Sequence, residues 1–258
     1  MSQLKVFITG ASSGIGQALA EHYASEGAII GLVARRLSLL TSLQEKLPTK
    51  TIIYAVDVRD SDALEKAAQD FIAQFGPPDI VIANAGVSAG TLTENKDDIK
   101  TFKGVIDINL LGMVHTFQPF IYVMKQAKKG SLVGIASVAG IRGLPGASAY
   151  SASKAATIAY LESLRVELNP SGINVTTIAP GFIKTPMTDI NQYPMPFLMA
   201  PDIAAKKFAQ AIAKKKRFIV IPWQMGYLAR ILRFIPPWLW DFMMKNAPRK
   251  AHANWDWL

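Results

Sequence analysis

The sequence predicts an α/β protein: one domain with a doubly wound, seven-stranded parallel sheet, helices on both faces, and a helical C-terminal extension. Two observations predict this fold. Short apolar segments alternate with longer amphipathic segments along most of the 258 residues, as strands and helices do in a parallel sheet. The apolar segments are also continuous, as a sheet that is covered on both sides requires. No linker or repeat divides residues 1–221, and an apolar extension follows over 222–258.

The predicted strands are short, apolar and rich in β-branched residues, which is typical of buried parallel strands. Gly10 ends the first of them, and Asp57 follows the third. The seven strands are predicted over residues 4–9, 28–34, 51–56, 79–83, 131–136, 173–178 and 218–221.

Six predicted helices alternate with these strands. Gly27 is a stop signal for the first helix, and Gly76 with two following prolines ends the third. A loop rich in proline and methionine covers about 182–201. The helices are predicted over residues 14–27, 37–47, 60–75, 97–127, 148–168 and 202–214.

The composition excludes several kinds of site. The chain has no cysteine, which rules out disulfides, thiolate metal sites and a cysteine nucleophile. Its three histidines, His22, His115 and His252, are scattered without ligand spacing, so we predict no metal. The N-terminus lacks the features of a signal peptide, and we expect a cytoplasmic protein.

The formal net charge of +9 leaves three kinds of partner open: nucleic acid, an anionic membrane surface, or a phosphorylated ligand. The only dense basic run is at residues 214–217, and such runs are usually solvated. No aromatic residues are interleaved there to stack on bases. We therefore predict no binding to nucleic acid.

Ser137, Tyr150 and Lys154 form a pattern with a recognisable chemistry. A tyrosine and a lysine four apart on a helix share one face, and a nearby ammonium favours the phenolate and lowers the pKa of a phenol. The pair then exchanges a proton near neutral pH, while the serine hydroxyl binds the same substrate oxygen. The tyrosine–lysine spacing alone also arises by chance in lysine-rich helices, so its meaning depends on the rest of the chain.

A glycine-rich turn with the spacing G-x-x-x-G-x-G links the first strand to the first helix. Such a turn brings backbone and a helix N-terminus close to a diphosphate, which favours dinucleotide binding over a merely structural turn. The predicted contacts are Gly10, Ser12, Ser13, Gly14, Ile15 and Gly16.

The end of the second strand carries Arg35 and Arg36 where an NAD site usually has an acid. Guanidinium groups bind a 2′-phosphate and a carboxylate repels it. The alternative is a pair of solvated arginines at a strand end. Together with the preceding turn, the arginines predict NADP(H).

Two further strand ends carry polar or small residues that we place in the cofactor site. Asp57 follows the third strand and is suited to accept a hydrogen bond from the adenine amino group, with Val58 beside it. Asn84, Ala85 and Gly86 follow the fourth strand. Ligands of open α/β sheets bind at these carboxyl ends.

These motifs together resemble the short-chain dehydrogenase/reductase family over about residues 4–221, and the resemblance implies a Rossmann fold. It implies catalytic roles for Asn109, Ser137, Tyr150 and Lys154, with Asn109 supporting a relay water and Lys154 also binding the nicotinamide ribose. Ala83 departs from the asparagine that many members carry. Because cytoplasmic NADP pools are largely reduced, we expect carbonyl reduction. The resemblance further implies a homodimer or homotetramer. It also implies that the nicotinamide is cradled by Pro180, Gly181, Ile183 and Thr185.

The loop over about 182–201 is expected to cover the substrate. Its methionines and aromatic residues make an adaptable apolar lining, although ordinary surface packing explains them equally well. Those residues are Phe182, Met187, Tyr193, Met195, Phe197 and Met199.

The extension over 222–258 carries all five tryptophans: Trp223, Trp238, Trp240, Trp255 and Trp257. Tyr227 and Ile231 lie on one predicted helical face with Arg230 opposite, and Pro236-Pro237 breaks the helix. The segment is too interrupted to span a bilayer. It fits peripheral contact with the inner membrane surface through 223–246, or burial against a second subunit or over the substrate cleft.

The function predicted from these features is hydride transfer between NADP(H) and a carbonyl or secondary alcohol. We expect reduction of an apolar or lipid-like small molecule. The alternative is a non-catalytic dinucleotide-binding module that recruits a partner or membrane through its C-terminus.

Overall fold

The computed structural model describes residues 3–191 and 193–247. It confirms the seven-stranded parallel sheet, with the strand order β3-β2-β1-β4-β5-β6-β7. The order reverses between β1 and β4, and this reversal is where open α/β sheets form their ligand crevice. The strands are β1 (Lys5–Thr9), β2 (Ile29–Ala34), β3 (Thr51–Ala55), β4 (Ile80–Ala83), β5 (Gly130–Ile135), β6 (Ile173–Pro180) and β7 (Phe218–Ile221).

Helices cover both faces of the sheet, as the continuously apolar strands predicted. One apolar layer includes Leu19, Leu40 and Phe208, and the other includes Phe117 and Leu161. The helices up to residue 213 are α1 (Gly14–Ser25), α2 (Leu37–Lys46), α3 (Ser61–Phe75), α4 (Asp98–Ile106), α5 (Gly112–Ala127), α6 (Ser148–Leu168), α7 (Pro186–Asp189) and α8 (Pro201–Ala213).

The helix predicted over 97–127 is interrupted by a π-helical turn at Asp107–Leu111, between α4 and α5. A π turn inserts one residue into the helical repeat, and such turns are frequent at functional sites. Here the turn carries Asn109. An apolar pattern with a period near 3.6 residues does not reveal one extra residue, so the sequence predicted a single helix.

Parallel pairing brings the polar strand ends to one edge. Thr9 pairs with Val33, and Ala34 pairs with Ala55. The turn that begins at Gly10 therefore lies beside Arg35 and Asp57 at the carboxyl edge of the sheet.

The extension forms two helices, α9 (Trp223–Phe234) and α10 (Pro237–Met244), which are separated at the predicted proline break. Met225 and Ala229 of α9 are buried, whereas Tyr227 is exposed. The expectation that Arg230 lies opposite Tyr227 is wrong, since its guanidinium carbon lies 5.8 Å from the centre of that ring. Over residues 3–191 and 193–247, no helix has the length and apolar character needed to cross a membrane. His252, Trp255 and Trp257 lie outside the described residues.

Candidate active site

A cavity of about 260 Å³ opens at the carboxyl edge of the sheet. All residues predicted for the site line it, except Gly16 and Asn109. The cavity joins the glycine-rich turn at one end to Ser137, Tyr150 and Lys154 at the other. Within the described part of the chain, no cluster of metal-ligating side chains is present.

The glycine-rich turn depends on conformations that only glycine adopts easily. Gly10 has φ of +66° and Gly14 has φ of +59°, in the left-handed region. A Cβ on Gly16 would lie 2.2 Å from the Gly10 carbonyl oxygen, so Gly16 permits a close approach within the turn instead of lining the cavity. Helix α1 starts at Gly14, which places its unpaired first N–H groups beside the cavity, as a diphosphate site requires.

Asn84 holds this turn against the end of β4. Its Nδ2 donates to the carbonyl oxygens of Thr9 and Gly10, both at 3.1 Å. The Thr9 hydroxyl oxygen in turn accepts from the Asn84 N–H at 3.3 Å. The side chain of Asn84 is thus occupied within the protein, and it fixes the turn that would carry the diphosphate.

A cluster of guanidinium groups lies at the opposite rim of the turn. Arg36 Nη2 donates to the hydroxyl oxygens of Ser12 at 3.1 Å and Ser13 at 3.4 Å. Arg35 Nη1 lies 3.9 Å from Asp57 Oδ2. The arginines predicted from the sequence therefore lie beside both the phosphate turn and the predicted adenine contact.

Arg59 is a further basic residue at this rim that the sequence analysis did not identify. Its Nη2 donates to Asp57 Oδ2 at 2.8 Å, and its Nε donates to Asp57 Oδ1 at 3.1 Å. Partial burial raises the pKa of Asp57, but the hydrogen bonds and charge of Arg59, together with the charge of Arg35, outweigh it, so the net pKa is lowered. The only signal for Arg59 in the sequence was its position two residues after Asp57.

At the other end of the cavity, Ser137 and Tyr150 are joined through their side chains. Burial raises the pKa of the Tyr150 phenol; the hydrogen bond with Ser137 offsets part of this rise, and the nearby Tyr193 adds to it. The Ser137 oxygen also accepts from the Ala139 N–H at 3.1 Å. A raised pKa keeps the phenol protonated at neutral pH, as a proton donor requires.

Lys154 is buried next to this pair. Its Nζ donates to the Ile135 carbonyl oxygen at 2.8 Å and lies 5.9 Å from the centre of the Tyr150 ring. Burial lowers the pKa of Lys154 to about 8. The expectation that Lys154 lowers the pKa of Tyr150 is wrong. The net pKa of Tyr150 is raised, because the effect of burial on the phenol dominates.

Asn109 lies beneath the cavity and is fully buried. Its Oδ1 accepts from the Val87 N–H at 2.8 Å, while its Nδ2 donates to the Val87 carbonyl and the Ser153 hydroxyl oxygen, both at 2.9 Å. A Cβ on Gly86 would lie 3.2 Å from Asn109 Oδ1 and 3.5 Å from Lys154 Nζ. Asn109 thus links the π turn to α6 close to Lys154, and its part in a water relay stays a prediction.

The predicted substrate loop is closed at its base. The Met199 N–H donates to the Phe182 carbonyl at 3.0 Å, and the Lys184 N–H donates to the Met199 carbonyl at 2.9 Å. Met187 lines the cavity, whereas Phe197 is exposed. The apolar residues of the loop therefore divide between lining the cavity and facing outwards.

The C-terminal extension packs beside the catalytic end. A Cβ on Gly181 would lie 2.7 Å from Met225 Cγ, and the Gly181 N–H donates to the Ile221 carbonyl at 2.8 Å. The Arg142 guanidinium carbon lies 4.9 Å from the centre of the Trp240 ring. Both helices of the extension thus contact segments that flank the cavity.

Most cavity residues that the sequence analysis missed are small or apolar. Several lie at strand ends, where the residues that line the cavity are of the same types as the residues that are buried in the strand. They are Ala34, Val56, Val87, Ile108, Ile135, Ala136, Pro186 and Thr188.

The profile of the short chain dehydrogenase family matches residues 4–193. The chain belongs to the short-chain dehydrogenase/reductase family. A relative in Myxococcus xanthus, named an uncharacterized oxidoreductase, is 37% identical over 244 residues, which is 93% of this chain and 96% of that protein. The 11-beta-hydroxysteroid dehydrogenase 1A of Arabidopsis thaliana is 32% identical, over 88% of this chain and 71% of that protein.

Among solved structures, L-sorbose reductase from Gluconobacter frateurii, complexed with NADPH and L-sorbose, superposes with a TM-score of 0.76. It is 25% identical, and the match covers 86% of this chain and 95% of that one. As a short-chain dehydrogenase/reductase, the chain is an oxidoreductase of a family that binds nicotinamide dinucleotides, acts on alcohol and carbonyl groups of small molecules, and commonly forms oligomers.

Proposed function

We propose that this short-chain dehydrogenase/reductase uses NADPH to reduce an apolar ketone or aldehyde to an alcohol. The observation that carries the proposal is the arrangement around the cavity. Ser137, Tyr150 and Lys154 meet at one end, and a guanidinium cluster lies at the other. The first group suits proton transfer to an oxygen, and the second suits a phosphorylated dinucleotide.

The residues divide the work of reduction between them. Tyr150 donates its phenolic proton to the developing alkoxide oxygen, and the Ser137 hydroxyl orients that oxygen. The Lys154 ammonium stabilises the phenolate that remains. NADPH supplies the hydride when it is bound, and the protein supplies position and charge.

Preference for NADP(H) follows from the charges at the rim. Arg35 and Arg36 present two guanidiniums, while the Asp57 carboxylate is paired with Arg59. This pairing leaves an excess of positive charge for a 2′-phosphate. The structural relative L-sorbose reductase is described in complex with NADPH, which supports the same choice.

The apolar substrate class is supported by the lining of the cavity. Val87, Ile108 and Met187 are among its apolar lining residues, and apolar linings favour apolar ligands. The relative in Arabidopsis thaliana is named for a hydroxysteroid, an apolar substrate. Reduction is the proposed direction because the cytoplasmic NADP pool is largely reduced, and a protonated Tyr150 phenol is suited to donate to the carbonyl oxygen.

We also propose a cytoplasmic homodimer or homotetramer with peripheral contact at the inner membrane surface through 223–246. The exposed aromatic residues of α9 and α10 support this contact.

A panel of ketones, aldehydes and alcohols from short to long chains, assayed with NADPH and NADH, tests the function. We expect turnover with NADPH that rises with the apolar size of the carbonyl compound and is weaker with NADH. Tight NADPH binding without turnover of any compound would instead favour the non-catalytic dinucleotide-binding module. Equal use of both dinucleotides would contradict the proposed role of the arginines.

A further inference from the structure

Helix α9 turns an apolar stripe away from the protein. Met225 and Ala229 bury one face of the helix, and large apolar residues on the other side are exposed. Spacings of three and four residues place them along one side of a helix. The exposed stripe consists of Trp223, Tyr227, Ile231 and Phe234, which are 67%, 59%, 62% and 84% exposed.

Helix α10 adds to this surface at the far end of α9. Trp238 and Phe242 are four residues apart and highly exposed, while Trp240 is held at Arg142. One side of α10 is therefore anchored near the catalytic segment and the other exposes aromatic rings. Single exposed apolar residues are ordinary, but a contiguous set of large ones marks an interaction surface.

The stripe continues into a groove of about 570 Å³ between α8, β7 and the start of α9. Trp223 belongs to both the stripe and the groove. Phe197, at the groove's edge, is 51% exposed and has φ of +59°, a conformation that is unfavourable for a bulky side chain. The backbone thus holds a large aromatic residue outwards at the edge of this surface.

The groove is rimmed by positive charge. Lys207, Lys214 and Lys216 line it, and its lining residues include no carboxylate. Arg230 and Arg233 lie on the exposed part of α9. A second copy seated on this surface across a twofold axis would bring these cations together, which is unfavourable. A nucleic acid would use the cations but leave the apolar stripe in water.

We infer that the α9 stripe, the exposed rings of α10 and the groove with its lysine rim form one docking surface for an anionic phospholipid bilayer. Aromatic and aliphatic groups enter the headgroup region, and flanking lysines and arginines bind anionic headgroups. The apolar residues match the acyl-chain boundary of the bilayer, and the lysines and arginines match its anionic headgroups. This docking surface includes α8 and β7, beyond the C-terminal segment alone.

The docking surface lies next to Gly181, which lines the active-site cavity. Met225, on the buried face of α9, lies against Gly181, and the Gly181 N–H donates to the carbonyl of Ile221, the last residue of β7. Docking therefore orients the catalytic end toward the bilayer. This orientation implies that an apolar carbonyl compound enters the cavity from the lipid phase. That entry route rests on the proposed function, whereas the docking itself does not.

Flotation of the full-length protein with vesicles tests the docking. One set contains equal parts of phosphatidylcholine and phosphatidylglycerol, and the other contains phosphatidylcholine alone. We expect flotation with the anionic set and a reduction of at least tenfold without phosphatidylglycerol. The double variant Ile231→Ser with Phe234→Ser should lose binding to a similar extent, and Lys214→Glu with Lys216→Glu should weaken it and remove most of its salt dependence.

Tyr122→Ser is the matched control, because Tyr122 is 70% exposed on α5, outside the docking surface. It should float like the unaltered protein. Tyr150→Phe should also float, so loss of turnover and loss of docking are separate readouts. Turnover of a short, water-soluble carbonyl compound should be unchanged in the docking variants, whereas turnover of a vesicle-dissolved long-chain compound should fall.

Absence of flotation by the intact protein, or equal flotation of the docking variants, would overturn the inference. Light scattering of the same variants adds a second check. If Ile231→Ser with Phe234→Ser converts an oligomer to monomers, the surface is a subunit interface and the inference is wrong.

Discussion

Arg59 binds both carboxylate oxygens of Asp57, through Nη2 at 2.8 Å and Nε at 3.1 Å. Paired donors of this kind fix geometry as well as charge. Asp57 Oδ2 also lies 3.9 Å from Arg35 Nη1, and pairing with Arg59 reduces the ability of this carboxylate to repel a phosphate at the same rim. We therefore assign Arg59 a positioning role in the proposed cofactor site, where it supports the proposed preference for NADP(H).

Removing either rim arginine should weaken the binding of NADPH but not that of NADH. A charge-assisted hydrogen bond contributes about 1.5–3 kcal/mol, so Arg35→Ala or Arg36→Ala should raise the Kd for NADPH by about 10- to 150-fold. The Kd for NADH should change little, because NADH lacks the 2′-phosphate. Isothermal titration with both dinucleotides checks this, with Arg165→Ala, outside the cavity lining, as the control. Equal losses for both dinucleotides would assign the arginines a general structural role.

Arg59→Gln should lower the ratio of the Kd for NADH to the Kd for NADPH. This effect is indirect, since the proposed role of Arg59 is to pair with Asp57 and not to contact the phosphate. Without the guanidinium of Arg59, the Asp57 carboxylate beside Arg35 is less neutralised. The pKa of Asp57 should rise, because the hydrogen bonds and charge of Arg59 are what lower it most. The ratio of the two Kd values, measured at neutral pH, provides the readout. Arg59→Lys should restore part of the preference, and a ratio that neither variant changes would contradict this role.

Reduction should lose efficiency as pH rises through about 8. Burial lowers the pKa of Lys154 to about 8; its ammonium is therefore present below that pH and is lost above it. The value of kcat/KM reports ionisations of the free enzyme, so its pH profile should show this falling limb. The NMR shift of the carbon bonded to Lys154 Nζ should titrate over the same range. A profile that stays flat to pH 10 would show that this ammonium is not required.

Asn109→Ala should destabilise the protein even though Asn109 does not line the cavity. The substitution leaves the buried Val87 N–H and carbonyl without their partner, at a cost of about 2–4 kcal/mol in the free energy of unfolding. Urea unfolding measures the change. Asn174→Ala, which removes one 3.4 Å contact with the Gly130 carbonyl, should cost under about 1 kcal/mol. Loss of activity with unchanged stability would show that the main role of Asn109 is in the chemistry.

The sequence predicted the features that depend on local pattern. Continuous apolar strands and the glycine-rich turn led to the sheet, and strand ends led to the residues around the cavity. The π turn at Asn109 and the carboxylate partner of Arg59 were not predictable in this way, because they depend on one extra residue in a helix and on side-chain geometry. The pKa of Tyr150 was also missed, because burial is a property of the packed site and cannot be read from the spacing to Lys154.

The central claim, that Tyr150 donates the proton in an NADPH-dependent reduction, is tested most directly by Tyr150→Phe. The measurement pairs single-turnover reduction of the best carbonyl compound with NADPH binding by titration. General acid catalysis contributes about 10²- to 10⁴-fold, so we predict a loss of that size with NADPH binding within about twofold of the unaltered protein. A variant that keeps full turnover would contradict the claim.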